Sequence, residues 1–231
     1  MFSLVLLRHG ESAWNAQDRF TGRADVALTA RGEDQARRCG ALLRESGLLP
    51  DRLHTSTLTR AVRTGELALA AAGRPQIPAC QDPRLDERDY GALEGHARVE
   101  VLARYGSTQY RRWRRSWDAA PPPGYAGGIH RPGESLADVA SRLLPCWESV
   151  LAPDLRAGHT VLVTAHSNSL RALIAILDDL GPEQVIDVEV PIAVPLHYVL
   201  DDRLRPVVHG GRYLPERTSS GRDDHRVPPC A

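Results

Sequence analysis

Two histidines in this chain each stand directly after an apolar run. The first closes Leu4-Val5-Leu6-Leu7-Arg8-His9-Gly10-Glu11, and the second closes Thr160-Val161-Leu162-Val163-Thr164-Ala165-His166-Ser167-Asn168. Each run reads as a buried strand that delivers an imidazole to its carboxyl end. In open α/β sheets, ligands bind at those ends. A neutral imidazole there can attack phosphorus, and a second, protonated one can neutralise charge on the group in transit. The guanidinium of Arg8 can hold an anion beside the first ring. A helix that starts right after His166 would turn its free N–H groups toward the same place.

Further residues suit the same chemistry. Ser12, Asn15, Thr21 and Gly22 offer hydroxyl, amide and backbone donors of the kind that wrap phosphate oxygens. Arg60 falls on the first turn of a helical segment that follows a short strand, so its fork can reach the pocket or stay on the surface. Glu87, between Leu85 and the glycines Gly91 and Gly95, is a candidate general acid or base if buried. The cluster Arg111-Arg112-Trp113-Arg114-Arg115 admits three readings: a nucleic-acid patch, a solvated helix face, or a clamp on a small anion. Neighbours on a helix stand about 100° apart, so the four arginines cannot share one direction. Arg114 and Arg115, or one of them with Arg111, are the better ligand candidates.

The elements that must position these groups alternate. Strand-like segments are expected at 2–7, 52–55, 76–79 and 160–165, with a closing pair at 195–200 and 205–208. Helical periodicity is expected at 30–45, 57–72, 97–105, 107–118, 134–155 and 168–178. Residues 119–133, rich in proline and glycine, read as a loop. The pattern predicts an α/β fold of three α/β/α layers, with a mostly parallel central sheet flanked by helices. One catalytic domain is expected over 1–214, and residues 215–231 read as a flexible tail.

Composition sets limits. The chain has 231 residues and zero formal net charge, which argues against nucleic acid or an anionic membrane surface as partner. No apolar stretch reaches the ~20 residues of a membrane span. The N-terminus shows no secretory signal. Cys39, Cys80, Cys146 and Cys230 have no metal-ligand spacing and read as reduced thiols of a cytoplasmic protein. All 29 Lys or Arg positions are arginine, so no Schiff-base or P-loop lysine can operate.

The tracts from Leu7 to Asn15, Arg19-Phe20-Thr21-Gly22, Glu87 to Gly95, Trp113-Arg114-Arg115 and His166 to Leu173 together resemble the cofactor-dependent phosphoglycerate mutases of the histidine phosphatase superfamily. The resemblance runs from residue 3 to about 214. It implies exchange of a phosphoryl group between 3- and 2-phosphoglycerate, with His9 phosphorylated by 2,3-bisphosphoglycerate as primer and no metal. Arg8, Arg60 and His166 would stabilise the phosphoryl in transit, and Glu87 would shuttle the hydroxyl proton. Ser12, Asn15, Thr21, Gly22, Arg88, Tyr90, Arg98, Arg114, Arg115, Ser167 and Asn168 would bind the small phosphorylated acid. A homo-oligomer, dimer or tetramer, is also implied. The chain departs from the family at Arg98, usually lysine, at Ser167, usually glycine, and at Pro191-Ile192-Ala193, usually Pro-Thr-Gly. Its 119–133 loop is short for the family. These departures keep open a phosphatase or specialised mutase acting on another small phosphorylated acid.

Overall fold

A computed structural model describes residues 1–126 and 128–214, so the tail expected over 215–231 lies outside the described residues. In chain order the elements are β1 (Phe2–Arg8), α1 (Ala13–Ala16), α2 (Ala30–Glu45), β2 (Arg52–Thr55), α3 (Thr59–Ala72), β3 (Ala79–Gln81) and α4 (Arg98–Arg115). There follow β4 (Gly124–Ala126), β5 (Ile129–Arg131), α5 (Leu136–Cys146), α6 (Ala152–Arg156), β6 (Val161–Ala165), α7 (Ser167–Asp178), α8 (Pro182–Val185), β7 (Leu196–Leu200) and β8 (Arg212–Tyr213). The main sheet has the order β3-β2-β6-β1-β7-β8. Its first four strands are parallel, while β7 and β8 are antiparallel to their neighbours. This is the α/β architecture expected, a mostly parallel sheet flanked by helices.

The apolar runs work because both sheet faces are covered. Along β1, Leu4 and Leu6 join one cluster with Val161, Val163, Leu170 and Leu173, while Val5 and Leu7 join another with Leu43, Leu53, Leu69 and Leu162. Side chains alternate between faces along a strand, so a run without polar gaps is what a sheet buried on both sides requires. Truncating one of these leucines to alanine costs about 2–5 kcal/mol. Because β2, β6 and β1 are adjacent and parallel, their carboxyl ends open side by side. Just past β1 the chain packs against α2 through a tight approach of two glycines. A Cβ on Gly10 would sit 2.2 Å from the Gly32 carbonyl oxygen, so no larger residue fits.

Several expected elements differ in detail. The long helix expected over 134–155 is broken: α5 ends at Cys146, residues 147–151 form a π-type turn, and α6 continues. Pro145 lies inside α5 and cannot donate to the preceding turn, which loosens the ladder there. The expected helices 97–105 and 107–118 are two arms of α4, bent at Gly106, whose φ is 75°. The 119–133 loop carries the hairpin of β4 and β5, seated on residues 91–93. At the sheet edge the partner of β7 is β8, not 205–208, where only Pro206 bridges to Leu200. Proline lacks the donor that a ladder needs. The strand expected at 76–79 is shifted to Ala79–Gln81, after Pro78.

Candidate active site

At the carboxyl ends of β1, β2 and β6 lies a cavity of about 290 Å³. His9 lines it, and His166, which does not reach the lining, packs directly behind, with ring centroids 5.0 Å apart and planes inclined by 59°. Both are buried, at 3% and 0% exposure. His9 Nδ1 lies 2.6 Å from its neighbour's carbonyl, Gly10 O. A carbonyl only accepts, so Nδ1 carries the proton and Nε2 keeps its lone pair. Burial pushes His9 well below the ordinary histidine value, and the Arg60 and Arg8 guanidiniums push it further, against the smaller opposing effect of the Gly10 bond. The ring is therefore a neutral base with a free nitrogen.

His166 pairs through Nε2 with Ser56 Oγ at 2.6 Å. Ser56 Oγ accepts the Leu58 N–H and meets no acceptor besides the imidazole among the described residues, so its own proton goes to that nitrogen. The ring proton then sits on Nδ1, which is buried and has no protein partner. The charge expected on this second ring is not its resting state: burial first, then Arg60, His9 and Arg8, drives His166 well below its ordinary value. Packed behind His9, it is a neutral N–H donor, and a bound dianion is what would favour its cation.

The arginine wall is built on backbone carbonyls. Arg8 Nη1 donates to Val190 O at 2.8 Å. Arg60, fully buried, donates to Ala24 O at 2.7 Å and Gly22 O at 2.8 Å. Gly22 makes this turn at a φ of 55°, and an added Cβ would lie 2.3 Å from Glu94 Oε2. Burial lowers the proton affinity of both Arg8 and Arg60. Each keeps a buried Nε without a partner, and Thr21 Oγ1 is likewise buried and unpaired. Such orphaned donors cost free energy until an anion satisfies them.

Glu87 is 7% exposed and lines the cavity. Its Oε1 accepts from Arg88 N at 2.8 Å, Asn168 N at 3.2 Å and Asn168 Nδ2 at 3.1 Å. That concentration on Oε1 leaves Oε2 for a substrate hydroxyl. Asn168 Nδ2 also donates to Tyr90 Oη at 3.0 Å. The amide is oriented by Arg171, whose Nη1 donates to Asn168 Oδ1 at 3.2 Å.

Of the other expected residues, Asn15, Thr21, Gly22, Tyr90, Arg98, Arg114, Arg115, Ser167 and Asn168 line the cavity. Ser12 and Arg88 do not. Ser12 is fully buried and caps α1, donating to Asn15 Oδ1 at 2.9 Å, which leaves the Asn15 Nδ2 amide for a ligand. Arg88 is a buried strut bound to the carbonyls of Glu134, Trp113 and Ala119. Arg111 is absent from the lining and Arg114 and Arg115 present, as the helical spacing allows. No residue of 119–133 lines the cavity among the described residues.

Sequence reasoning missed Arg19, Arg171 and Glu189 in the lining, and Ser56 behind His166. Arg171 was findable, since it stands four residues after Ser167 on one helix face. Glu189 sits in a loop without a periodic signal. Seven arginines face two glutamates across the cavity, so the site is strongly cationic although the chain is neutral. Among the described residues no group of three His, Cys, Asp or Glu side chains could hold a metal ion, and no helix is long and apolar enough to cross a membrane.

The profile of the histidine phosphatase superfamily (branch 1) matches residues 4–201. A Nocardioides protein named 2,3-bisphosphoglycerate-dependent phosphoglycerate mutase is 51% identical over 227 residues, 92% of each chain. A Mycobacterium bovis protein of the same name is 47% identical, over 95% of this chain and 94% of its own. In fold, the chain resembles a mycobacterial glucosyl-3-phosphoglycerate phosphatase solved with VO3, with a TM-score of 0.75 and 24% identity over 89% of this chain and 95% of that one.

Proposed function

The chain belongs to the histidine phosphatase superfamily (branch 1), and from that premise we propose that it is a phosphoglycerate mutase, interconverting 3- and 2-phosphoglycerate through a phosphohistidine at His9. The observation that carries this reading is the pairing of the two rings: a neutral His9 with Nε2 free lines an arginine-walled cavity, and the buried His166 N–H donor packs behind it. The names of the relatives support the substrate. So does a second set of cations, Arg98, Arg114 and Arg115, which lines the cavity and can hold a distal anion while the inner arginines hold the phosphoryl group.

The residues fit a 2,3-bisphosphoglycerate primer, because the unpaired Arg8 Nε, Arg60 Nε, Arg171 Nε and Thr21 Oγ1 are buried donors suited to phosphate oxygens. That molecule supplies the phosphoryl group that loads His9. In the transfer to substrate, Glu87 accepts the proton of the attacking hydroxyl as the P–N bond to His9 breaks and the new P–O bond forms. In the return, the phosphoryl passes from the other oxygen back to Nε2, and Glu87 returns the proton to the alkoxide left behind. Arg8, Arg60 and His166 Nδ1–H stabilise the equatorial oxygens throughout. We place the enzyme in the cytoplasm on the reading of its cysteines as reduced thiols, and as a homo-oligomer, dimer or tetramer, on the resemblance.

Brief exposure to bisphosphoglycerate labelled in its phosphoryl groups tests the reading. Acid-labile label is expected on His9, and a chase with 3-phosphoglycerate should move it into phosphoglycerates. His9→Ala should remove both label and turnover. Steady release of inorganic phosphate from several esters would instead assign a phosphatase on the same scaffold.

A further inference from the structure

The arginines of the cavity are held by backbone carbonyls, by the Tyr110 hydroxyl at Arg114, and by carboxylates, Asp18 at Arg98 and Glu189 at Arg115. Arg8, Arg60 and Arg171 donate to backbone carbonyls and keep their charge uncompensated. Arg115 is held by a carboxylate: its Nη2 lies 2.7 Å from Glu189 Oε1, while its only other partner among the described residues, Ile186 O, is at 3.4 Å. Glu189 itself lines the cavity, and besides Glu87 it is the one acid to do so among the described residues. Its side chain is 73% exposed, so it is restrained by little besides Arg115. Its backbone is fixed, because the Tyr213 hydroxyl donates to Glu189 O at 2.9 Å. The hydrogen bond with Arg115 holds Glu189 below the ordinary carboxylate value, so it is ionised at neutral pH. An ionised carboxylate on the wall of an anion pocket, on a fixed backbone and a free side chain, is an anion tethered at the ligand's own cation.

We propose that Glu189 is a built-in competitor for the distal anion of the ligand: its carboxylate occupies Arg115 until the ligand's second anionic group displaces it. The proposal rests on the reading of the cavity as a phosphoglycerate site. Inorganic phosphate, which needs only the inner arginines and the two histidines, does not meet Glu189. A ligand with a second anion must break the Glu189–Arg115 pair, and this lowers its affinity by the worth of one exposed ion pair. The device discounts loosely placed distal groups, because only a well-placed anion regains from Arg115 what the pair gave up.

Calorimetric titration of the unphosphorylated chain, without primer and therefore without turnover, separates these contributions. Glu189→Gln should bind 3-phosphoglycerate about two- to fivefold more tightly than wild type, the range that an exposed ion pair supports. Its affinity for inorganic phosphate should be unchanged. In an Arg115→Met background, the same glutamine substitution should have no effect on 3-phosphoglycerate. Binding of 3-phosphoglycerate that Glu189→Gln leaves unchanged or weakens overturns the proposal alone, a weakening meaning that Glu189 merely positions Arg115. Wild-type protein that binds phosphate but no 3-phosphoglycerate overturns the substrate reading, and the proposal with it.

Discussion

The two buried imidazoles make stability depend on pH around neutrality. Burial and the adjacent guanidiniums depress both His9 and His166 well below the ordinary value of 6.5. In the unfolded chain each ring takes up its proton near 6.5. Between that value and the depressed folded values, the unfolded state binds more protons, so stability falls as pH falls. The stability attached to the neutral rings is fully present above the unfolded value and is lost progressively toward the folded one. At pH 5.5, one unit below the ordinary value, each ring should have cost about 1.4 kcal/mol relative to pH 7.5, and the pair about 3 kcal/mol. The depressed carboxylates Glu33, Asp82, Glu134, Glu189 and Asp201 titrate below their ordinary values of 4.5 or 3.8, outside the window. His197 is also depressed, but its contribution is common to wild type and variants and cancels in the comparison. The assay is urea unfolding at pH 7.5, 6.5 and 5.5 for wild type, His9→Gln and His166→Gln. Each variant should lose roughly half of the wild-type decline attributable to the pair, whatever its absolute stability. Parallel pH profiles for all three proteins would refute the claim that the cavity holds these rings neutral.

Two other substitutions probe the supports of the site. Ser56→Ala removes the bond that sets the tautomer of His166 and should lower kcat about 10-fold, less than the 10²–10³ lost with an oxyanion donor itself; steady-state rates beside His166→Ala as the ceiling check this. Ala193 holds a left-handed φ of 51° while its N–H donates to Arg8 O at 3.1 Å, so Ala193→Gly should raise the unfolding free energy by about 0.5–1 kcal/mol in urea melts, with an unchanged or lower value showing that the methyl's packing outweighs the backbone strain.

The parts of the fold legible in the sequence are those governed by local rules. The ungapped apolar runs before His9 and His166 require a sheet covered on both faces, and β1 and β6 are its paired inner strands. Thr29 caps α2 at the residue where the periodicity begins. Position 106 bends α4 because glycine alone tolerates its φ of 75° at low cost. What escaped local rules was decided by distant partners. The strand that closes the sheet is Arg212–Tyr213, since Pro206 cannot extend the ladder and the turn beyond it brings the later pair onto β7. The site shows the same division. His9, Arg60, Glu87 and His166 follow recognisable segments and converge. Arg88 looked like a ligand residue from its place in the Glu87–Gly95 tract, yet three carbonyls far along the chain claim it. Glu189 enters the cavity only because the loop after α8 folds over the end of β1, an arrangement no spacing encodes.

The way the inner arginines are anchored explains why the pocket can be both stable and reactive. Carboxylate anchors would fix Arg8 and Arg60 just as firmly, but they would neutralise the cations that a transferring phosphoryl needs. Carbonyl dipoles orient the guanidiniums and leave the full charge in place. The cost is that several cations and two imidazoles share a buried space, which disfavours every positive charge within it. The histidines answer that cost by staying neutral, because they are the only members of the group that can lose a proton near neutral pH. Neutrality is also what makes His9 a nucleophile. Burial first and the guanidiniums after it keep the ring unprotonated, and the repulsive part is relieved when a phosphate dianion enters, so the field that helps to activate His9 in the empty cavity becomes the field that stabilises the phosphoryl group once it is there.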